Sequence, residues 1–261
     1  MTQPIQHIVL IGAGNLATQL GLALHRNGLH VAQVYSRTEA SAKKLAQQID
    51  ANFTTDLTQI TPTADLYIYA LTDAVLAEVI NKISVTNGLH VHTAGSMPMA
   101  VFAHKTSNFG VLYPFQTFTK NKLVDFTEIP FFINANSAEN IDKLSFIAHK
   151  LSKRVFLSND EDREKVHLSG VFACNFTNCL YTIAEKLLAE QNLPFDILMP
   201  LITETLEKLK ELSPSDIQTG PAQRGDQLVI DKHIKLLEQH PEWQAVYELL
   251  TQTIKINKTI K

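Results

Sequence analysis

The chain has 261 residues, 45% of them apolar and 19% charged, with a net charge of −3. That length suits one large or two modest globular domains. The charge excludes a general attraction for nucleic acid, and no apolar run reaches the roughly 20 residues of a membrane-spanning helix.

Met1-Thr2-Gln3-Pro4 lacks the basic start of a secretory leader, so the apolar stretch that follows is read as structure. His7-Ile8-Val9-Leu10-Ile11 is a short apolar strand that runs into Gly12-Ala13-Gly14-Asn15-Leu16-Ala17. Leu20, Leu22, Ala23 and Leu24 then mark an amphipathic helix. Strand, Gly-x-Gly-x-x-Ala and helix in that order form a pyrophosphate site at a first strand-to-helix turn. Gly12 permits the turn, Gly14 leaves room for a phosphate, and Ala17 lets helix and strand pack closely. The backbone N–H groups at Asn15 and Leu16 then face the anion, aided by the helix dipole.

The second strand, Val31–Tyr35, ends in Ser36-Arg37-Thr38. An NAD-preferring site has a carboxylate at about this point to accept the ribose 2′-hydroxyl. None occurs here before Glu39. Arg37 can fork a 2′-phosphate and stack on an adenine face, so the expected cofactor is NADP(H) in preference to NAD(H). The plainer alternative is a solvated loop arginine in an unselective pocket.

Further on, the pattern predicts a helix over 39–48, a brief strand near 51–53 and a buried strand over 66–71. A helix over 74–83 and strands over 89–92, 109–113 and 130–134 follow, the last with proline in its first position. Helix 138–151 and strand 154–157 complete an α/β half, a mostly parallel, doubly wound sheet covered on both faces. From Ser158 the strands cease. Ser158 or Asn159 caps a long helix to about 191, with Asp160, Glu161 and Asp162 in its first turn. A helix over 194–212, a break at Ser213-Pro214-Ser215, a loop over 219–225 and helices over 226–239 and 242–256 follow. The expected organisation is a Rossmann-like domain over 1–157 and an all-helical domain over 158–261. Cys174 and Cys179 stand five apart in one helix, on different faces, which disfavours a disulfide and suits a reducing cytoplasm.

Ligands of open α/β sheets bind beyond the carboxyl ends of the strands. Leu71-Thr72-Asp73 and Thr93-Ala94-Gly95 are therefore expected along the cofactor, with Ser96 and its hydroxyl near the substrate. Ordinary turn chemistry, with Asp73 capping the next helix, is the competing reading. His90 and His92 are as readily packed as catalytic. On the long helix, His167, Cys174 and Asn178 follow one stripe at i, i+7 and i+11, with Gly170 between them and Asn175 beside it. The functional reading has His167 move the proton that accompanies hydride transfer, Asn175 orient the substrate and Asn178 bind it. The competing reading has these groups satisfy one another or face a dimer partner. Arg224, in a loop before a helix that Asp226 can cap, is able to grip a carboxylate or phosphate or to form a structural ion pair. No metal is expected: there is no His-x-x-x-His pair flanking a glutamate and no cysteine cluster. No Gly-x-Ser-x-Gly elbow points to a serine nucleophile.

The two-part layout resembles the superfamily of 6-phosphogluconate dehydrogenase and pyrroline-5-carboxylate reductase. Gly12–Ala17, His92-Thr93-Ala94-Gly95-Ser96, Leu112–Phe118, Thr219–Asp226 and Gly170–Phe176 are more closely similar to oxidoreductases that join a Rossmann-like domain to a DUF2520 domain. That resemblance implies a nucleotide cofactor and a helical domain that shapes a substrate cleft and forms homodimers. Lys165 and Asn175 evoke the lysine and asparagine of β-hydroxyacid dehydrogenases, at a different spacing. Many relatives have His-Pro where this chain has Tyr113-Pro114, so an imidazole role there does not carry over. The expected activity is NADP(H)-dependent hydride exchange with a carbonyl, imine or alcohol carbon of a small polar or anionic metabolite. A nucleotide-binding regulatory or scaffold protein without turnover is the alternative.

Overall fold

The computed structural model describes residues 5–84 and 87–259, which leaves the leader reading of Met1–Pro4 outside them. The first unit is built on an eight-stranded sheet in the order β3-β2-β1-β4-β5-β6-β7-β8. Its strands are β1 (Ile8–Ile11), β2 (Val31–Tyr35), β3 (Asn52–Thr54), β4 (Leu66–Tyr69), β5 (Leu89–His92), β6 (Phe109–Pro114), β7 (Phe131–Ala135) and β8 (Val155–Leu157). Helices α1 (Asn15–Arg26), α2 (Glu39–Gln48), α3 (Asp73–Lys82) and α4 (Ala138–Leu151) alternate with them.

The central strands β1 and β4 are apolar because both faces are covered. Ile8 and Leu10 enter one core with Leu20, Leu24, Leu45 and Leu144. Val9 and Ile11, with the opposite pleat, enter a second core with Tyr67, Tyr69, Leu76, Ile80 and Phe102. Pairing is parallel from β3 across to β6, with Ile8 opposite Leu66 and Leu10 opposite Val34. β7 runs antiparallel to β6 because residues 115–130 return as a loop, with no crossover helix to carry the chain to the other end. β8 is parallel to β7.

Helix α5 (Asp160–Gly170) belongs with this sheet unit. Asn159 caps it, its Oδ1 accepting the Asp162 N–H at 2.8 Å. The chain divides into compact units of 1–173 and 174–261, sixteen residues past the boundary expected at 157/158. The reason is Arg163. It is fully buried, donates to the Met97 carbonyl and pairs with Asp160 at 2.9 Å, while Asp160 also accepts the Met99 N–H at 3.1 Å. These contacts fasten α5 to the segment after β5.

The helical unit starts within a wider, π-helical stretch (Val171–Phe176) and continues as α6 (Thr177–Ala189). The unbroken 3.6-residue period that the expected stripe from His167 to Asn178 needs therefore does not hold. A 3-10 turn (Phe195–Leu198) leads into α7 (Met199–Lys208), which stops short of the expected Leu212. The expected loop over 219–225 contains a short helix, α8 (Pro221–Arg224). Helices α9 (Gln227–Leu236) and α10 (Pro241–Thr259) complete the unit, joined by a 2.9 Å bond between His233 Nδ1 and the Tyr247 hydroxyl. Asp226 caps α9 through the Val229 N–H at 3.2 Å. Cys174 and Cys179 are free and exposed. Among the described residues no helix is long and apolar enough to cross a membrane.

Candidate functional site

The strand order reverses between β1 and β4, and the carboxyl ends of β1, β2, β4 and β5 open a crevice there. A cleft at this switch point is lined by Gly12, Gly14, Ser36, Arg37, Leu71 and Thr72, with Val75 and Val79 on its α3 side. Gly12 has φ +126°, and a Cβ on it would collide with the Ala70 carbonyl. No heavy atom lies within 4 Å of the space a Gly14 Cβ would fill, so that flank is open to a ligand. Asn15 and Leu16 open α1, whose cap Gly14 contributes no side-chain bond, so the first N–H groups remain for an anion. Arg37 is exposed, and Thr38 stands at the start of α2. Acidic Glu78 on α3 lies within electrostatic reach of Arg37 but is paired to Lys82 at 2.6 Å. The shape and donors therefore fit a dinucleotide: an adenine slot between Arg37 and α3, and a phosphate cradle at α1.

The loop after β5 adjoins this cleft. Asp73 is the first residue of α3 and does not cap it; its carboxylate accepts a bond from the exposed Ser96 hydroxyl. Thr93 turns inward, its hydroxyl donating to the Tyr69 carbonyl at 3.3 Å. Ala94 is buried, and its N–H donates at 3.2 Å to Nδ1 of fully buried His92. Burial, reinforced by the nearby Arg163 cation, holds the His92 pKa down at about 4. Burial does the same to His90, which bonds the Tyr69 hydroxyl at 2.9 Å and stacks on Tyr67. Both imidazoles are neutral packing groups at neutral pH.

Gly95 lies directly under His167. A Cβ at Gly95 would come within 2.6 Å of Nδ1, 2.7 Å of Cγ and 2.9 Å of Cβ of that histidine. His167 is exposed, and its Nδ1 lies 3.1 Å from the hydroxyl of Tyr113, at the end of β6. Burial pushes the Tyr113 pKa up to about 12, against the pull of Arg163. The phenol is thus protonated near neutrality and can donate to, or accept from, the imidazole. Asp160, Arg163 and His167 follow at i, i+3 and i+7 on α5, one helix face. The ion-pair anchor therefore sets the height at which His167 meets Gly95. Sequence reasoning took Asp160 only as a dipole partner and set Tyr113 aside; the i, i+3, i+7 spacing was the available signal.

Asn175 lies in the π-helical stretch, Asn178 in α6 and Arg224 at the end of α8, all exposed. The structure brings Gly12–Leu16, Ser36–Thr38, Leu71–Asp73, Thr93–Ser96 and His167 to one end of the sheet unit. Asn175, Asn178 and Arg224 belong to the helical unit.

Residues 1–114 match the model of a Rossmann-like domain, and residues 129–254 match DUF2520, a domain of unknown function. A Bacteroides fragilis protein provisionally described as an NADP oxidoreductase is 49% identical, over 96% of this chain and 98% of its own, with a TM-score of 0.89. The chain belongs to the Rossmann-like–DUF2520 family. A Thermotoga maritima protein shares the family chain's fold at 19% identity, covering 97% of this chain and 99% of its own, with a TM-score of 0.82. So does 1-pyrroline-5-carboxylate reductase of Streptococcus pyogenes, at 13% identity, 95% and 98% coverage and a TM-score of 0.66. No curated protein matches the sequence.

Proposed function

We propose that the protein is an NADP(H)-dependent oxidoreductase acting on a carbonyl, imine or alcohol carbon of a small polar or anionic metabolite. The observation that carries this reading is the continuity of the dinucleotide-shaped cleft with a proton-handling pair. Thr72 lines the cleft, Asp73 binds Ser96, and Gly95 next to Ser96 carries His167 with its partner Tyr113. The 49% identity to a provisional NADP oxidoreductase supports the same class.

When bound, the nicotinamide supplies or accepts the hydride. The α1 N–H groups bind the pyrophosphate, and Arg37, with Ser36 and Thr38, holds the 2′-phosphate and gives NADP(H) its preference over NAD(H). His167 donates or removes the proton at the reacting heteroatom through Nε2, while Tyr113 holds Nδ1 and accommodates either protonation state by turning its hydroxyl. Substrate recognition falls to Ser96 and, in the helical unit, to Arg224 and Asn178, with Asn175 orienting the substrate. Exposed Leu201, Leu206 and Leu249 support homodimerisation through the helical unit, measurable by light scattering.

The test is NADPH oxidation against a panel of keto acids, aldehydes and cyclic imines, with NADPH and NADH affinities measured alongside. Turnover that falls at least a hundredfold in His167→Ala supports the reading. Tight NADPH binding without turnover on any of the panel favours a regulatory or scaffold protein, and NADH binding at least as tight as NADPH refutes the NADP(H) preference.

A further inference from the structure

A second cavity, of about 300 Å³, adjoins the glycine turn. Ala13 lines both spaces. From α2 the second cavity receives Ala40, Ser41 and Lys44, from α1 Thr18, and from the loop between β6 and β7 Lys120. Ala40 and Lys44 stand at i and i+4, so one face of α2 is turned to it.

Lys120 comes from far along the chain, and its presence is secured by a buried amide. Gln19 of α1 is 1% exposed. Its Nε2 donates to the Thr119 carbonyl at 2.7 Å, and its Oε1 accepts the Val124 N–H at 3.2 Å. Both ends of this amide are committed to one loop, which pins that loop to α1 one turn past the glycine motif. Two lysines from separate elements thus line one cavity, and no acidic residue lines it. Among the described residues neither lysine side chain forms an ion pair.

We infer that Lys44 and Lys120 complete the binding site for the 2′-phosphate of the dinucleotide, so that Arg37 is one of three cations on that group. The inference rests on the NADP(H) reading. A ribose phosphate carries close to two negative charges near neutrality, and one exposed guanidinium leaves it under-neutralised. The pyrophosphate already has the N–H groups at the start of α1. Ser36–Thr38 lead directly into α2, whose Ala40, Ser41 and Lys44 form one wall of this cavity. Gln19, by this account, holds the strap that delivers Lys120 and is a positioning residue.

The experiment is fluorescence titration of NADPH and NADH on the full-length protein, comparing wild type with Lys44→Ala, Lys120→Ala, Arg37→Ala and Lys43→Ala. Lys43 is exposed on the same helix but does not line the cavity, so it controls for net charge. Removing Lys44 or Lys120 is expected to weaken NADPH about tenfold each, leave NADH within about twofold, and leave melting temperature unchanged; Lys43→Ala should change neither affinity by more than about twofold. Lys44→Arg and Lys120→Arg should retain most of the NADPH affinity. Equal loss for both cofactors would assign the lysines to the pyrophosphate and overturn the inference, as would loss of the same size in Lys43→Ala. If wild type prefers NADPH and only Arg37→Ala removes that preference, the inference fails while the NADP(H) reading stands. If wild type shows no preference for NADPH, the reading fails and this inference with it.

Discussion

The contact between Gly95 and His167 offers a sharp test of how the candidate site is built. Gly95→Ala adds one methyl group, at a backbone conformation outside the positive-φ region, so the chain itself is not strained. In isolation that change would stabilise the protein by about 0.4–1 kcal/mol through the unfolded state. The methyl would, however, lie 2.6–2.9 Å from three atoms of His167, where ordinary contact begins at 3.4 Å. The ring atoms can rotate away, at the cost of the Tyr113 bond. The His167 Cβ cannot, because buried Arg163 one turn earlier fixes α5. Overpacking of this kind costs about 1–3 kcal/mol, so the net expectation is a loss of about 1–2 kcal/mol. Urea unfolding of the single and double variants separates this from a general effect. In a His167→Ala background two of the three contacts vanish, and the cost of Gly95→Ala should fall by about 1 kcal/mol or more. If Gly95→Ala costs the same in both backgrounds within about 0.3 kcal/mol, the contact does not govern the site and the reasoning is refuted.

Three further outcomes follow from the same geometry. Tyr113→Phe keeps the ring and removes the hydroxyl: the 15N chemical shift of His167 Nδ1 should move as its hydrogen bond is lost, and turnover should fall about tenfold with KM little changed. An unaltered Nδ1 shift would count against the pair. Arg163→Met should cost ~3 kcal/mol in urea unfolding, since it leaves Asp160 and the Met97 carbonyl without their shared partner; a loss below about 0.5 kcal/mol would show that α5 is held otherwise. Finally, His90 and His92 have folded-state pKa values near 4, below the usual 6.5. The unfolded chain therefore binds more protons between those values, and stability should decline as pH falls from about 6.5 toward 4 and level off below. Each histidine contributes up to about 1.4 kcal/mol per pH unit in that window, so His92→Gln should flatten the slope by about that amount, and a wild-type stability that is flat from pH 6.5 to 5 would contradict it.

The order of elements and the glycine turn before α1 were legible in the sequence because they rest on local physics. Short apolar runs such as Ile8–Ile11 and Leu66–Tyr69, bounded by turn residues, read as strands buried on two faces, and α2 fell on Glu39–Gln48 as its periodicity required. Gly12 and Gly14 state their own reason for being small. The π-helical stretch at Val171–Phe176 was not legible, since nothing in the local pattern separates an i→i+5 turn from an α-helix, and the stripe read through it lost its basis. Nor was the inward turn of Thr93, which is set by the Tyr69 carbonyl on the neighbouring strand.

The sequence by itself determined a Rossmann-like sheet, a following helical region and a short list of chemistry-bearing residues. Only the tertiary structure decided their partners. His167 and Tyr113 are separated by more than fifty residues, as are Arg163 and Met97, and Gln19 and Lys120 by about a hundred. Periodicity reports which face of an element is buried, but a hydrogen bond between distant elements depends on sheet order and on where a loop is pinned. Those are properties of the assembled fold, and they bring the cleft after Gly12 next to the pair formed by His167 and Tyr113.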